Sequence, residues 1–85
     1  MRISFSKNAW EEYISWQKED VNILRKINSL IKEIQRTPFE GIGKPEPLNF
    51  DFSGFWSRRI DNTHRLIYRL IDQELQIYSC RFHYD

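Results

Sequence analysis

Side chains that could together cleave a phosphodiester bond are concentrated in roughly the last forty residues of this chain. They are a carboxylate (Glu46), several arginines, and a terminal pair formed by His83 and Tyr84. A carboxylate can act as a general base, an imidazole as a general acid, and guanidinium groups can stabilise charge on a phosphate. Because this set needs no metal ion, the sequence favours RNA cleavage as a hypothesis over a small basic domain of unspecified role.

Arginine is the characteristic cation of this part of the chain, since no lysine follows Lys44. A planar guanidinium suits phosphate because it can donate two parallel hydrogen bonds to one group. We therefore expect RNA contacts from several basic residues besides Arg65, namely Lys44, Arg58, Arg59, Arg69 and Arg81. The alternative is that they only keep an exposed strand face in water. The net charge of +1 does not by itself indicate a nucleic-acid-binding protein.

Glu46 and His83 each have a second interpretation. Glu46 lies between Pro45 and Pro47, which restrict the backbone and would hold its carboxylate in place. The alternatives are that Glu46 is a solvated loop glutamate and that His83 belongs to a frayed C-terminus. The other histidine, His64, falls on the opposite strand face from Arg65, so we expect it to have a structural hydrogen-bonding role.

Length and composition indicate one domain that spans residues 1–85. Of these 85 residues, 40% are hydrophobic and 15% aromatic, which suffices for a small core and argues against disorder. Cys80 is the single cysteine, so no intramolecular disulfide can form. No apolar run has membrane-spanning length, and the N-terminus lacks the apolar region of a signal peptide. We therefore expect a cytoplasmic protein without a membrane partner.

Hydrophobic periodicity changes along the chain from a helical period to a period of two. Apolar residues at helical spacing predict one helix over Lys7–Glu19, capped by Ser6, and another from a cap at Asp20 to the residues before Pro38. The segment 38–47, which is rich in proline and glycine, predicts a stiff surface loop. Short strands are predicted at 2–5, 48–52, 54–60, 64–71 and 74–82.

The element order β-α-α-β-β-β-β predicts an α+β fold, with two helices packed on one face of a small, mainly antiparallel sheet. The other face is then left partly free for a ligand. A two-residue turn at 72–73 would place Arg69 opposite Gln76. It would likewise place Arg65 opposite Cys80, with both on the free face. Arginines and aromatic rings on one sheet face suit the phosphates and unstacked bases of RNA.

Four runs of residues resemble a known family: TPFEGIGKPEPL at 37–48, SGFWSRRI at 53–60, THRLIY at 63–68 and CRFHY at 80–84. Together they closely resemble the YoeB toxins of the RelE/ParE toxin superfamily, and the similarity runs almost end to end. The resemblance implies a microbial-RNase fold with helices on one face of an antiparallel sheet. It also implies an mRNA interferase, an endoribonuclease that cuts mRNA in the ribosomal A site without a metal ion or other cofactor.

The resemblance also implies a role for each residue of the site. Glu46 matches the general base that activates the ribose 2′-OH of the substrate. His83 matches the general acid that protonates the leaving 5′-oxygen, and Arg65 matches the cation that stabilises the transition state. Tyr84 matches an aromatic side chain that helps to position the substrate. Arg59 matches a supporting basic residue.

The family implies several partners and leaves two alternatives. A YefM-like antitoxin would wrap the toxin and block its arginine-rich site, and operator DNA would be bound only through that complex. The other partners are the 70S ribosome with its mRNA, and a second toxin copy in a homodimer. One alternative is a ParE-like toxin that binds and inhibits DNA gyrase without cutting RNA. The other is an inactive toxin that serves only as antitoxin ligand and co-repressor; it rests on Asp85 and on Ile42 and Asn49, where familiar members carry lysines.

Overall fold

Two amphipathic helices and five short strands form the part of the chain that the computed structural model describes, residues 1–82. His83, Tyr84 and Asp85 lie outside the described residues. In chain order the elements are β1 (Arg2–Phe5), α1 (Lys7–Glu19), α2 (Val21–Arg36), β2 (Glu46–Pro47), β3 (Trp56–Arg59), β4 (Arg65–Ile71) and β5 (Glu74–Ser79). No helix in this part of the chain is long and apolar enough to cross a membrane.

Each helix begins at a side chain that caps its first turn. Ser6 Oγ accepts a hydrogen bond from the N–H of Ala9 at 3.0 Å at the start of α1. Asp20 Oδ1 accepts one from the N–H of Asn22, also at 3.0 Å, at the start of α2. The predicted helices and their caps are confirmed. The second helix stops just ahead of Pro38, because the residue before a proline is kept out of the helical region.

The strands form one mixed sheet in the order β1-β5-β4-β3-β2. The β1–β5 pair is parallel and the other pairs are antiparallel. The predicted α+β fold and element order are confirmed. The strand predicted at 48–52 is wrong, because Phe50–Phe52 form a 3₁₀ turn and β2 lies earlier, at Glu46–Pro47. Proline is tolerated in β2 because that strand lies at the sheet edge, where one missing N–H breaks no ladder.

The core lies between the helices and one face of the sheet. The contribution of α2 is a stripe on a single helix face, made by Ile27, Leu30 and Ile34. The contribution of β4 and β5 comes from alternate residues, Leu66, Tyr68, Leu75 and Ile77. Since side chains alternate along a strand, the residues between these on β4 belong to the face turned away from the helices.

The turn of the β4–β5 hairpin lies at the predicted place. Asp72 and Gln73 have φ angles of 50° and 64°, and two positive values are what the favoured two-residue hairpin turns require. Arg69 consequently lies opposite Gln76, which confirms the first part of the predicted register.

Beyond this point the hairpin register shifts by one residue, so that Ile67 pairs with Ser79. Such a bulge turns the following side chains to the other face of the sheet. The prediction that Cys80 lies opposite Arg65 and shares its face is therefore wrong. Cys80 is completely buried on the helix side, with its Sγ 3.7 Å from the Ala9 carbonyl oxygen. Burial raises the pKa of its thiol to about 12, so the thiol stays protonated.

The loop between α2 and β2 is held by Arg58, whose side chain is completely buried. The guanidinium donates hydrogen bonds to the Tyr68 hydroxyl and to three loop carbonyls, those of Thr37, Glu40 and Ile42. The Tyr68 hydroxyl in turn donates to the carbonyl oxygen of Pro38 at 2.7 Å. The sequence predicts Arg58 as an RNA contact, and the structure corrects this placement, because the side chain does not reach the surface.

Arg58→Met should destabilise the fold, because it leaves the Tyr68 hydroxyl and three part-buried loop carbonyls without their charged donor. Losing several hydrogen bonds from a buried charged donor should lower the free energy of unfolding by about 3 kcal/mol or more. Urea denaturation measures this change. Arg59→Met is the matched control: its side chain is exposed, so we expect a loss below about 0.5 kcal/mol. Equal losses in the two variants would contradict the role of Arg58 in holding the loop.

Candidate active site

Cross-strand pairing brings predicted acidic and basic residues to the sheet face that is turned away from the helices. Glu46 lies opposite Ser57, and Arg59 lies opposite Arg65. Direct partners in neighbouring strands share a face, as do residues two apart in one strand. Glu46, Arg59, Arg65 and Arg69 therefore share one side of the sheet. We call this surface, defined by these four residues, the arginine face.

Buried side chains form the floor between these charged groups. Ser57, Ile67 and Ser79 follow one another across β3, β4 and β5, and none is more than 5% exposed. Glu46 is exposed at the edge of this floor. It lies two strands away from Arg65 and two residues further along the strands, which makes a separation of roughly 12 Å at the usual strand spacing and rise per residue. This separation leaves room for a phosphate group with a carboxylate on one side and a guanidinium on the other.

Carbonyl groups of the β3–β4 turn orient the guanidinium of Arg65. Its Nη1 donates to the carbonyl oxygens of Asp61 at 2.7 Å and of His64 at 3.0 Å. The Asp61 carboxylate fixes the same turn, because it accepts the N–H groups of Thr63 at 2.8 Å and of His64 at 2.6 Å. Burial raises the pKa of Asp61, but these hydrogen bonds outweigh it, so the pKa lies below its ordinary value. Arg65 is thus held in place before any substrate binds.

Arg69 is a second oriented guanidinium on the arginine face. Its Nε donates to Gln76 Oε1 at 2.7 Å, and its guanidinium carbon lies 4.8 Å from the centre of the Phe55 ring. Together with Tyr78, these residues line a cavity of about 210 Å³. The arrangement places a cation and aromatic rings side by side, as the sequence predicts for Arg69.

Lys44 and Arg59, two further predicted RNA contacts, both have exposed side chains. The N–H of Arg59 donates a hydrogen bond to the carbonyl of Gly43 at 2.7 Å. This bond holds the loop between α2 and β2 against β3. This close approach requires glycine: Gly43 has a φ of +83°, and a Cβ there would lie 2.9 Å from Leu30 Cδ2. The loop therefore brings Lys44 next to the edge of the arginine face.

The residues that follow β5 are attached to α1. Trp16 Nε1 donates to the Cys80 carbonyl at 3.0 Å, and the Cys80 N–H donates to Glu12 Oε1 at 2.9 Å. Arg81 donates to Glu19 Oε2 at 2.5 Å, and its guanidinium lies 4.0 Å from the centre of a Trp16 ring. Arg81 thus packs against α1 with 24% of its side chain exposed, and the RNA contact that the sequence predicts for it stays a prediction.

His64 makes the kind of structural hydrogen bond that the sequence predicts. Its Nδ1 accepts a hydrogen bond from the N–H of Phe82 at 2.7 Å, and its ring meets Trp16 edge-on with 4.8 Å between ring centres. The Phe82 carbonyl accepts a hydrogen bond from the N–H of Arg65 at 2.9 Å. The end of the described chain is thereby tied to the arginine face.

His83 and Tyr84, the predicted general acid and substrate-positioning aromatic, follow Phe82 directly and lie outside the described residues. Glu12 and Trp16 hold the backbone of Cys80, a few residues before His83. The sequence does not predict either of them as part of the site. Helical spacing marks Trp16 as a helix residue with an apolar face. No local sequence pattern predicts that Trp16 donates a hydrogen bond to the Cys80 carbonyl, which lies 64 residues away in the chain.

Glu12→Gln should gain stability relative to the wild type as the pH rises from about 4 to 7. Burial raises the pKa of Glu12 above its ordinary value of 4.5 and outweighs the Cys80 N–H and the charge of Arg81, which lower it. A raised pKa means that the contribution of Glu12 is complete below about pH 4.5 and is lost as the pH rises through the folded-state pKa. Glutamine carries no charge to desolvate and keeps an acceptor for the Cys80 N–H.

Thermal unfolding of the two proteins across this pH range measures the difference. Glu11→Gln is the control, because Glu11 is the exposed neighbour of Glu12. This account would be contradicted if the melting temperature of Glu12→Gln differed from that of the wild type by the same amount at pH 4 and at pH 7.

The sequence of this chain is similar to those of known bacterial toxins. The family model described as the YoeB-like toxin of bacterial type II toxin–antitoxin systems matches residues 5–84. The YoeB toxin of Escherichia coli K12 is 54% identical over 84 residues, which cover 99% of this chain and 100% of that toxin.

Solved structures of such toxins have the same fold as this chain. A YoeB/ParE toxin from Agrobacterium tumefaciens superposes with a TM-score of 0.97 at 46% identity, covering 99% of this chain and 100% of that one. The YoeB toxin of Staphylococcus aureus is known in a heterotetrameric complex with YefM and as a dimer. Its TM-scores are 0.91 and 0.92, at 45% identity, over 99% of this chain and 98% of that one.

Proposed function

This chain belongs to the YoeB-like toxins of bacterial type II toxin–antitoxin systems, and we propose that it is an mRNA interferase. In this proposal it is a ribosome-dependent endoribonuclease that cuts mRNA in the ribosomal A site and so inhibits translation. The observation that carries the proposal is the strand pairing that gathers Glu46, Arg59 and Arg65 around one buried floor. A base and oriented cations around a single phosphate are what RNA cleavage without a metal needs.

In the proposed reaction the substrate supplies its own nucleophile. The Glu46 carboxylate takes the proton of a ribose 2′-OH, and the 2′-oxygen attacks the adjacent phosphorus. The bond from phosphorus to the 5′-oxygen breaks as His83 donates a proton to that oxygen. The products are a 2′,3′-cyclic phosphate and a 5′-OH end. Tyr84 positions the substrate, and no cofactor takes part.

Arg65 stabilises the charge that develops on the non-bridging phosphate oxygens. The turn carbonyls of Asp61 and His64 already orient its guanidinium, so it needs no reordering when the transition state forms. Removing one such preorganised donor typically slows a reaction about 100–1,000-fold. Arg59, the direct partner of Arg65 across β3 and β4, adds a second positive charge on the same side of the phosphate.

RNA binding beside the reacting phosphate is assigned to Lys44, Arg59 and Arg69. The exposed side chains of Lys44 and Arg59 contact phosphates of the message near Glu46. Arg69 lies four residues along β4 from Arg65, roughly 13 Å at the usual rise per residue. Its guanidinium over the Phe55 ring offers both a donor and a flat surface to an unstacked base.

The proposed partners follow from the relatives. Because the S. aureus toxin forms a heterotetrameric complex with YefM, we assign this chain a YefM-like antitoxin whose acidic segment covers the arginine face and neutralises the toxin. Operator DNA is bound through that complex. A homodimer is proposed by the same analogy, since S. aureus YoeB is also known as a dimer. The 70S ribosome in the cytoplasm is the site of action.

Glu46→Gln and Arg65→Met should each slow cleavage of ribosome-bound mRNA by about 100–1,000-fold, because each removes a group that acts on the reacting phosphate. Single-turnover cleavage with an excess of 70S ribosomes measures the rate, and circular dichroism checks that the variants fold. Glu40→Gln is the matched control, an exposed glutamate of the loop that precedes β2, and should cut at the wild-type rate. Unchanged cleavage in both test variants would contradict the assigned site.

Expression of the wild-type chain without antitoxin should produce mRNA 5′ ends within A-site codons, and His83→Gln should abolish them because the leaving oxygen then lacks its acid. Sequencing of mRNA ends after brief induction measures this. Inhibition of DNA gyrase with unaltered mRNA ends would decide for the ParE-like alternative. Antitoxin binding with neither activity would decide for an inactive co-repressor.

A further inference from the structure

Two hydrogen bonds fix the backbone of Phe82, the residue directly before His83. Its N–H donates to His64 Nδ1 at 2.7 Å, and its carbonyl accepts from the N–H of Arg65 at 2.9 Å. Phe82 has a φ of +60°, in the left-handed region that a phenylalanine rarely adopts. Such a conformation persists only where its surroundings hold it.

We infer that His64 is a positioning residue of the active site. Its imidazole holds Phe82, the residue directly before His83, in a fixed relation to Arg65. The inference rests on the proposed function, because His64 acts on the reaction only through His83. Since His64 and Arg65 are adjacent in the chain, one turn supplies both the cation for the phosphate and the anchor for the segment that bears the acid.

The imidazole of His64 is itself held in a defined orientation. Its ring packs edge-on against Trp16 with 4.8 Å between ring centres, and its backbone N–H donates to Asp61 Oδ1 at 2.6 Å. Because Nδ1 accepts a hydrogen bond from an amide, the proton of the neutral ring lies on Nε2. An acceptor with a fixed direction can set the position of the amide that it binds, whereas a freely rotating one cannot.

The contacts with α1 do not replace the one made by His64. Glu12 and Trp16 bind the backbone of Cys80, and Arg81 is held by its side chain. All of these contacts are made to Cys80 or Arg81, which precede Phe82 in the chain. Within residues 1–82, only His64 and Arg65 hydrogen-bond to the Phe82 backbone. This pair therefore fixes the backbone of the last described residue before His83.

The test removes the acceptor and keeps the bulk of the side chain. His64→Leu has no acceptor but can still pack against Trp16, whereas His64→Asn keeps an acceptor close to the position of Nδ1. Tyr13→Phe is the matched control, because it removes another side-chain hydrogen bond, from the Tyr13 hydroxyl to Asn28 Oδ1 at 2.6 Å, between α1 and α2. If His64→Leu does not fold, His64→Gln replaces it, since its oxygen lies one bond too far out.

We expect His64→Leu to lower kcat for mRNA cleavage on ribosomes about 10–100-fold, with a smaller change in KM, because Phe82 loses an anchor just ahead of His83 and Tyr84 while the RNA contacts of Lys44, Arg59 and Arg69 remain. His64→Asn should recover most of the lost rate, and Tyr13→Phe should cut like the wild type. A purely structural role predicts instead that the rates of all the variants follow their melting temperatures.

Hydrogen exchange of the Phe82 amide, followed by NMR, tests the anchor without any activity. Exchange should become about tenfold faster in His64→Leu and change less in His64→Asn. Unchanged exchange in His64→Leu, or full cleavage activity despite faster exchange, would overturn the inference while the proposed function stands. A wild-type protein that leaves mRNA intact on ribosomes would refute the proposed function itself, and the role of His64 in the reaction with it.

Discussion

Strand β4 is the element on which the rest of the structure depends, because it pairs with β3 on one side and β5 on the other. Leu66 and Tyr68 enter the core from this strand, which leaves Arg65 and Arg69 on the opposite face. The burial of apolar side chains on one face therefore determines where the cations lie. The arginine face is therefore the reverse side of the hydrophobic core.

The neighbouring arginines of β3, Arg58 and Arg59, have different roles because successive side chains of a strand point to opposite faces of the sheet. Arg58 points into the protein and satisfies several carbonyls of the loop at once, a task for which a guanidinium with five donors is suited. Arg59 is exposed and lies opposite Arg65. Because the loop held by Arg58 leads directly into β2, the position of Glu46 on the arginine face depends on a cation that is completely buried.

The register shift in the last hairpin has an equally large effect on the C-terminal segment. It turns Cys80 toward α1, where Glu12 and Trp16 bind its backbone. The chain then returns at Phe82 to the turn that carries His64. In the unshifted register the segment would have continued as a strand beside Arg65. Because of one extra residue in β5, this segment does not extend the sheet but binds to α1 and to the turn that carries His64.

The sequence by itself determined the features that depend on local chemistry: both helices and their caps, the turn at 72–73, and the motifs from which Glu46 and Arg65 are proposed as site residues. It did not reveal that β2 lies at Glu46–Pro47, that Cys80 is in the core, or that Arg58 holds a loop. These depend on the pairing of distant strands and on which side chains fill the interior. A bulge reverses the facing of every later residue without a local signal. Only the tertiary structure therefore decided how the segment that ends at Phe82 is attached to the arginine face.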